Sequence, residues 1–115
     1  MSDGGSRRPD RHALLELDAL LARIHQLAGT GDRARYDQDD EYRWVIHRLW
    51  IAVGNEAEAY AALTEVSDAE PWRALRQLRN KLAHVRLPDI DEDEVWRVTM
   101  LRTESLRAQI RQLLR

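Results

Sequence analysis

Pro71-Trp72-Arg73-Ala74-Leu75-Arg76-Gln77-Leu78-Arg79-Asn80-Lys81-Leu82-Ala83-His84 is the stretch whose reading decides the fold. Leu75, Leu78 and Leu82 recur at steps of three and four, the spacing that puts apolar side chains on one face of a helix. Arg76, Asn80 and His84 also recur at four and share a different face. Ser67-Asp68-Ala69-Glu70-Pro71 supplies a start signal of capping residues and a first-turn proline. The stretch is therefore an amphipathic helix with an apolar and a basic side.

Working outward, the same period appears everywhere. Leu14, Leu17, Leu21, Ile24 and Ala28 mark a helix over about 12–28, widened by Ala13, Leu20 and Leu27. Gly29 stands where a glycine usually follows a helix. Residues 32–38 are polar and read as a loop or short turn. Asp39, Asp40 and Glu41 crowd the start of a second helix, where the helix dipole favours negative charge. Tyr42, Ile46, Leu49, Val53, Ala57 and Tyr60 form its stripe to Thr64, flanked by Val45, Trp50 and Ala61. Gly54 interrupts that stripe at about 1 kcal/mol against alanine, so it is expected to serve close helix packing rather than an end. Leu87-Pro88 breaks the pattern after His84, because the residue before proline avoids helix. Asp91 then reads as an N-cap and Glu94 as its capping-box partner. Val95, Val98, Leu101 or Arg102, Leu106, Ile110 and Leu113 give the last helix its face. No segment alternates with period two over strand length. The expected fold is all-α, an antiparallel bundle of four to five helices.

Length and composition set the frame. One domain is expected from 115 residues, over 11–115, with residues 1–10 a disordered leader lacking the apolar segment of a signal peptide. A small helical bundle is often completed by dimerisation. The absence of cysteine excludes disulfides, a thiol nucleophile and cysteine-based zinc sites. No apolar run approaches the roughly 20 residues needed to cross a bilayer. A cytoplasmic location without membrane partners is the expectation. The formal net charge of −2 conceals a segregation. Arg73, Arg76, Arg79, Lys81 and Arg86 form a run without acids; Asp89, Asp91, Glu92, Asp93 and Glu94 form one without bases. Such runs are usually solvated faces, but a cationic strip is also what a polyanion requires.

The candidate chemistry lies on the basic helix. Cutting RNA without a metal needs one group to take a proton from the 2′-hydroxyl and another to protonate the leaving 5′-oxygen. Histidine, with an unperturbed pKa of about 6.5, serves either purpose. Arginine's planar fork offers paired donors to the phosphate oxygens and keeps its proton. Arg79 and His84 are five residues apart, about 140° around an ideal helix, so they do not stack. Arg79 must swing round, the helix must end near His84, or a two-fold axis must bring in the same pair from a second chain. By spacing alone, a surface arginine and a histidine capping a helix C-terminus is the commoner explanation. His12, His25 and His47 lack partners at metal-ligand spacing. Trp44, Trp50, Trp72 and Trp96 read as core or interface residues rather than stacking platforms. Helix capping accounts for the carboxylates at 91–94 more simply than Mg2+ does. No metal or cofactor is called for.

The whole stretch from Pro71 to His84 resembles the signature helix of the HepT-like branch of the HEPN family, in which proline and tryptophan precede an Arg-Asn pair and a histidine follows. The similarity continues through Ile90-Asp91-Glu92-Asp93-Glu94-Val95-Trp96 and the closing Leu106–Leu114, with Gly54-Asn55-Glu56-Ala57 similar to the family's Gly-Glu-Ala segment. It covers roughly residues 36–115. It implies a HEPN-like bundle forming a two-fold homodimer, with the Arg-x4-His motif of each chain at the interface cleft. It further implies a ribonuclease toxin of a type II toxin–antitoxin pair, partnered by a minimal nucleotidyltransferase (MNT) antitoxin. Under that resemblance Arg79 holds the phosphate, His84 is the general acid or base, and Asn80 orients the pair. The cationic strip makes Arg73, Arg76, Lys81 and Arg86 the expected RNA-binding residues. Many family members carry a tyrosine two residues after the histidine, which the antitoxin can modify with AMP; Arg86 stands there instead, and one extra residue lies near Pro88. Inhibition by simple binding is the expectation that follows. The alternative reading is a non-catalytic HEPN module that binds RNA, a nucleotide or a nucleotidyltransferase through the same helix.

Overall fold

The computed structural model describes residues 9–66 and 68–115, so most of the expected leader and Ser67 lie outside the described residues. Among the described residues there are five α-helices, one short 3-10 turn and no strand. They are α1 (Pro9–Ala28), α2 (Arg33–Gln38), α3 (Asp40–Thr64), α4 (Trp72–His84) and α5 (Glu92–Leu114), with the 3-10 turn at Leu87–Asp89 between the last two. α1 packs on α3 and on α5, and α4 packs on α3. The directions are antiparallel. The Tyr42 hydroxyl at the start of α3 donates to the carbonyl of Leu27 at the end of α1 (2.7 Å). Arg11 near the start of α1 donates to the carbonyl of Leu114 at the end of α5 (2.9 Å).

The expected stripes of α1 and α4 form the core. Leu17, Leu21 and Ile24 of α1 are fully buried, and Leu75, Leu78 and Leu82 of α4 join Trp72 in the interior. Gly29 follows α1 with φ +56°, the left-handed conformation that makes glycine the usual residue there. Asp39 caps α3, its carboxylate accepting from the Tyr42 backbone N–H (3.1 Å). Helix α4 instead finds its cap in Glu70, which accepts from the Ala74 backbone N–H (3.1 Å).

The structure departs from the periodic reading in four places. Residues 32–38 are largely helical: Asp32 caps α2 by accepting from the Arg35 N–H (3.0 Å), and Tyr36 is fully buried. Val45 of α3 is exposed, and buried His47 occupies the flank instead. On α5, Leu101 is 68% exposed and Arg102 also faces solvent, while Thr99 and Thr103 lie inward between Val95 and Leu106. Threonine is tolerated there because each hydroxyl donates to the carbonyl one turn back, Thr99 to Val95 (2.8 Å) and Thr103 to Thr99 (2.7 Å). Finally, Asp91 caps α5 through the Glu94 N–H (3.1 Å), but the Glu94 carboxylate pairs with Lys81 rather than closing a capping box.

Thr99 also accepts the indole N–H of Trp50, itself fully buried (2.9 Å). Thr99→Val keeps the shape and leaves that donor unsatisfied, a loss of about 1–3 kcal/mol. Denaturant titration is expected to show a lower midpoint with an unchanged slope.

Candidate functional site

Helix α4 leans on α3 at Gly54, and this contact places Arg79. A Cβ built on Gly54 would lie 2.2 Å from Arg79 Cβ and 2.9 Å from the Leu75 carbonyl oxygen. Glycine is thus required for the close approach, as its place in the stripe implied. The approach carries the Arg79 side chain across α3. There one guanidinium nitrogen donates to Asn55 Oδ1 (2.8 Å), the other to Glu58 Oε1 (2.8 Å), and Nε donates to Asn80 Oδ1 (2.9 Å). The side chain is only 16% exposed. Three acceptors around one planar fork fix its orientation. Asn55 and Glu58 went unread as site residues; their signal was the three-residue spacing just after Gly54, on the face that Gly54 opens.

Glu58 reports on this arrangement. The hydrogen bond from Arg79, and then the charge of Arg79, hold its carboxyl below the ordinary glutamate value, with burial opposing. A carboxyl depressed in the folded state stabilises the fold above its unfolded-state value and loses that contribution as pH falls through the folded value. Removing Arg79 by Arg79→Ala is therefore expected to return the Glu58 titration to the ordinary glutamate range. A carboxyl-carbon NMR titration of both proteins checks it; identical titrations would show that the pair is absent in solution.

His84 is the last residue of α4 and is exposed, and its ring makes no hydrogen bond among the described residues. The helix thus ends where one of the geometric alternatives required. Arg79 and Asn80 are in contact, whereas His84 stands apart from them at the helix terminus. Within one chain nothing orients the imidazole.

The cationic strip is more heavily paired than its sequence implied. Arg73 bonds Glu70 (2.9 Å), and Lys81 reaches both oxygens of Glu94 (3.1 Å each). Arg76 is half-buried, and Arg86 is exposed before the 3-10 turn. Exposed pairs such as Arg73–Glu70 contribute little and are readily exchanged for phosphate contacts. The acidic run is likewise not a bare face. Asp93 pairs with Arg33 (2.7 Å), and Glu92 is drawn inward toward Tyr36 and His47.

That inward cluster was missed from sequence. Glu92 Oε1 accepts from the Tyr36 hydroxyl (2.5 Å) and lies 2.8 Å from His47 Nε2. Burial first, and then the bond to Glu92, push the Tyr36 phenol far above its ordinary value, so it stays protonated and donates. No group of three or more His, Cys, Asp or Glu residues able to hold a metal ion occurs among the described residues. Nor, among these residues, is any helix long and apolar enough to cross a membrane. Trp50 and Trp72 are buried and Trp96 is half-buried, but Trp44 is 43% exposed and belongs to no core.

A family model described as "Ribonuclease HepT-like" matches residues 17–113, spanning α1 through α5 and both Arg79 and His84. No match was found among curated proteins or among solved structures.

Proposed function

The chain belongs to the HepT-like ribonuclease family, and from that premise we propose that it is a metal-independent endoribonuclease toxin whose site is completed by a two-fold homodimer. The observation that carries this reading is Arg79, Asn80 and His84 together on α4, in a chain the family model covers across all five helices. Arg79, held by Asn55, Glu58 and Asn80, presents a fixed positive charge on which the phosphorane oxygens gather. His84, exposed at the helix end, is free to approach the reacting strand.

The reaction runs within the RNA itself. The 2′-oxygen gives its proton to one His84 and attacks phosphorus. The bond from phosphorus to the 5′-oxygen breaks, and that oxygen takes a proton from the His84 of the second chain. A 2′,3′-cyclic phosphate and a 5′-hydroxyl end result, with no water consumed. Acid and base are two roles, one chain offers one histidine on α4, and the proposed two-fold axis supplies a second. Arg73 and Lys81, by exchanging their acidic partners, and exposed Arg86 give the strand its phosphate contacts. The cognate partner is a minimal nucleotidyltransferase antitoxin that inhibits by binding, since Arg86 offers no hydroxyl for AMP transfer.

Incubating the purified protein with RNA in excess EDTA tests the proposal. Cleavage with cyclic-phosphate ends is the expected result; cleavage that appears only after divalent metal is added would refute it.

A further inference from the structure

Four groups with no part in the proposed chemistry lie together behind the turn that follows His84. They are Tyr36, Arg43, His47 and Glu92. Glu92 Oε1 is engaged by Tyr36 and His47, while its Oε2 lies 3.7 Å from Arg43 Nε. Arg43 is anchored in turn by the carbonyls of Tyr36 (2.9 Å) and Asp37 (3.0 Å) and is 17% exposed. A polar cluster at such depth adds little to stability, so its presence calls for a different account.

Above it opens a cleft of about 410 Å³ that Arg43 and Glu92 both line. Exposed Trp44 and Leu87, together with Pro88, Ile90 and Asp37, complete its lining. Leu87 is three residues past His84, so it lies at most about 11 Å along the chain from it. The cleft therefore offers a flat aromatic face, apolar residues and two carboxylates, of which Asp37 is taken up by Arg33 (2.8 Å) and Glu92 is held in place from within, a few residues along the chain from His84. Its volume falls in the range of small-molecule sites.

We infer that this cleft takes up one nucleobase of the RNA, beside the scissile phosphate, and selects bases that carry an exocyclic amino group. The inference deepens the ribonuclease reading and rests on it for the identity of the strand. Trp44 supplies a stacking face, which every base can use. Selection comes from Glu92, a carboxylate that only accepts hydrogen bonds. With Oε1 occupied, and Arg43 Nε at 3.7 Å too far from Oε2 for a hydrogen bond, Oε2 is left to receive an amino N–H of guanine, adenine or cytosine. Uracil has no amino group, and its two carbonyl oxygens flank its single N–H and repel the carboxylate.

The test uses the full chain with His84→Ala, so that RNA is bound without being cut. Fluorescein-labelled oligouridylate octamers, each with one A, C or G at a successive position, are titrated by anisotropy. An amino-bearing base at one position is expected to tighten binding about tenfold over the all-uridine strand. Adding Glu92→Gln is expected to abolish that preference, because the amide also donates to uracil. Adding Trp44→Ala weakens binding of every strand, and Trp44→Phe restores most of it. Circular dichroism and sedimentation velocity accompany each variant. Equal or undetectable binding of all strands by the His84→Ala protein overturns the proposal. So does a Trp44→Ala protein that changes oligomeric state while keeping the base preference, since Trp44 would then belong to a protein interface. Because binding is read without cleavage, amino-base selection by this variant beside a wild-type protein that cuts no RNA would sink the catalytic reading alone.

Discussion

Replacing His84 by alanine is expected to lower the rate of RNA cleavage about 10²- to 10⁴-fold, the range that a positioned proton-transfer group supplies. The same change should leave the fold almost untouched. His84 is exposed, terminates α4 and makes no hydrogen bond among the described residues, so only a weak helix-dipole term of up to about 1 kcal/mol is at stake. Arg79→Ala should abolish cleavage to a similar degree but behave differently in unfolding. It strips Asn55, Glu58 and Asn80 of their shared donor. Arg79→Lys keeps the charge yet cannot serve three acceptors with a planar fork, so it should recover little. The diagnostic pattern is thus one inactive variant of ordinary stability and one inactive variant of reduced stability, both dimeric by sedimentation. Undiminished cleavage in His84→Ala would remove the histidine from the mechanism. A wild-type protein that binds RNA but never cuts it would instead favour a non-catalytic binding module.

The difference between what the sequence disclosed and what it hid follows from how far apart the participating residues are. Helices α1, α3 and α4 each carry a stripe of leucines, isoleucines and aromatic residues, and hydrophobic burial places such a stripe inward whatever its neighbours do. Gly54 was legible for the same reason, since a glycine in the apolar stripe of a long helix needs a packing partner. Helix α5 misled because it has competing apolar positions. Val98 and Leu101 fit a helical step as well as Thr99 and Thr103 do, and only the Trp50 indole and the i−4 carbonyls make the threonines the better buried pair. Helix α2 was hidden because six residues cannot show a period, and its one buried residue, Tyr36, is held by groups from α3 and α5. The candidate site divides along the same line. Arg79, Asn80 and His84 share one helix and could be read together. Asn55, Glu58 and the Glu92 cluster assemble across elements, from residues up to 56 positions apart, and no local pattern announces them.

Gly54→Ala joins these two threads, because fold and site meet at that residue. By helix propensity alone the substitution would stabilise α3 by about 1 kcal/mol. The new methyl, however, meets the root of the Arg79 side chain at 2.2 Å and the Leu75 carbonyl at 2.9 Å, neither of which can swing aside as a side-chain tip would. Helices α3 and α4 must separate, and overpacking of this kind costs about 1–3 kcal/mol beyond the propensity gain. A net loss near 2 kcal/mol, or roughly 8 °C in melting temperature for a domain of this size, is the expected result. Separation also draws Arg79 away from Asn55 and Glu58, so cleavage should fall although no proposed catalytic residue has changed. Ala59→Gly, at an exposed position of the same helix, provides the contrast: it should lose only the propensity difference of about 1 kcal/mol and leave cleavage intact. If Gly54→Ala instead melts higher than the parent protein, propensity has prevailed, and the close approach of α4 to α3 is not what holds Arg79 in place.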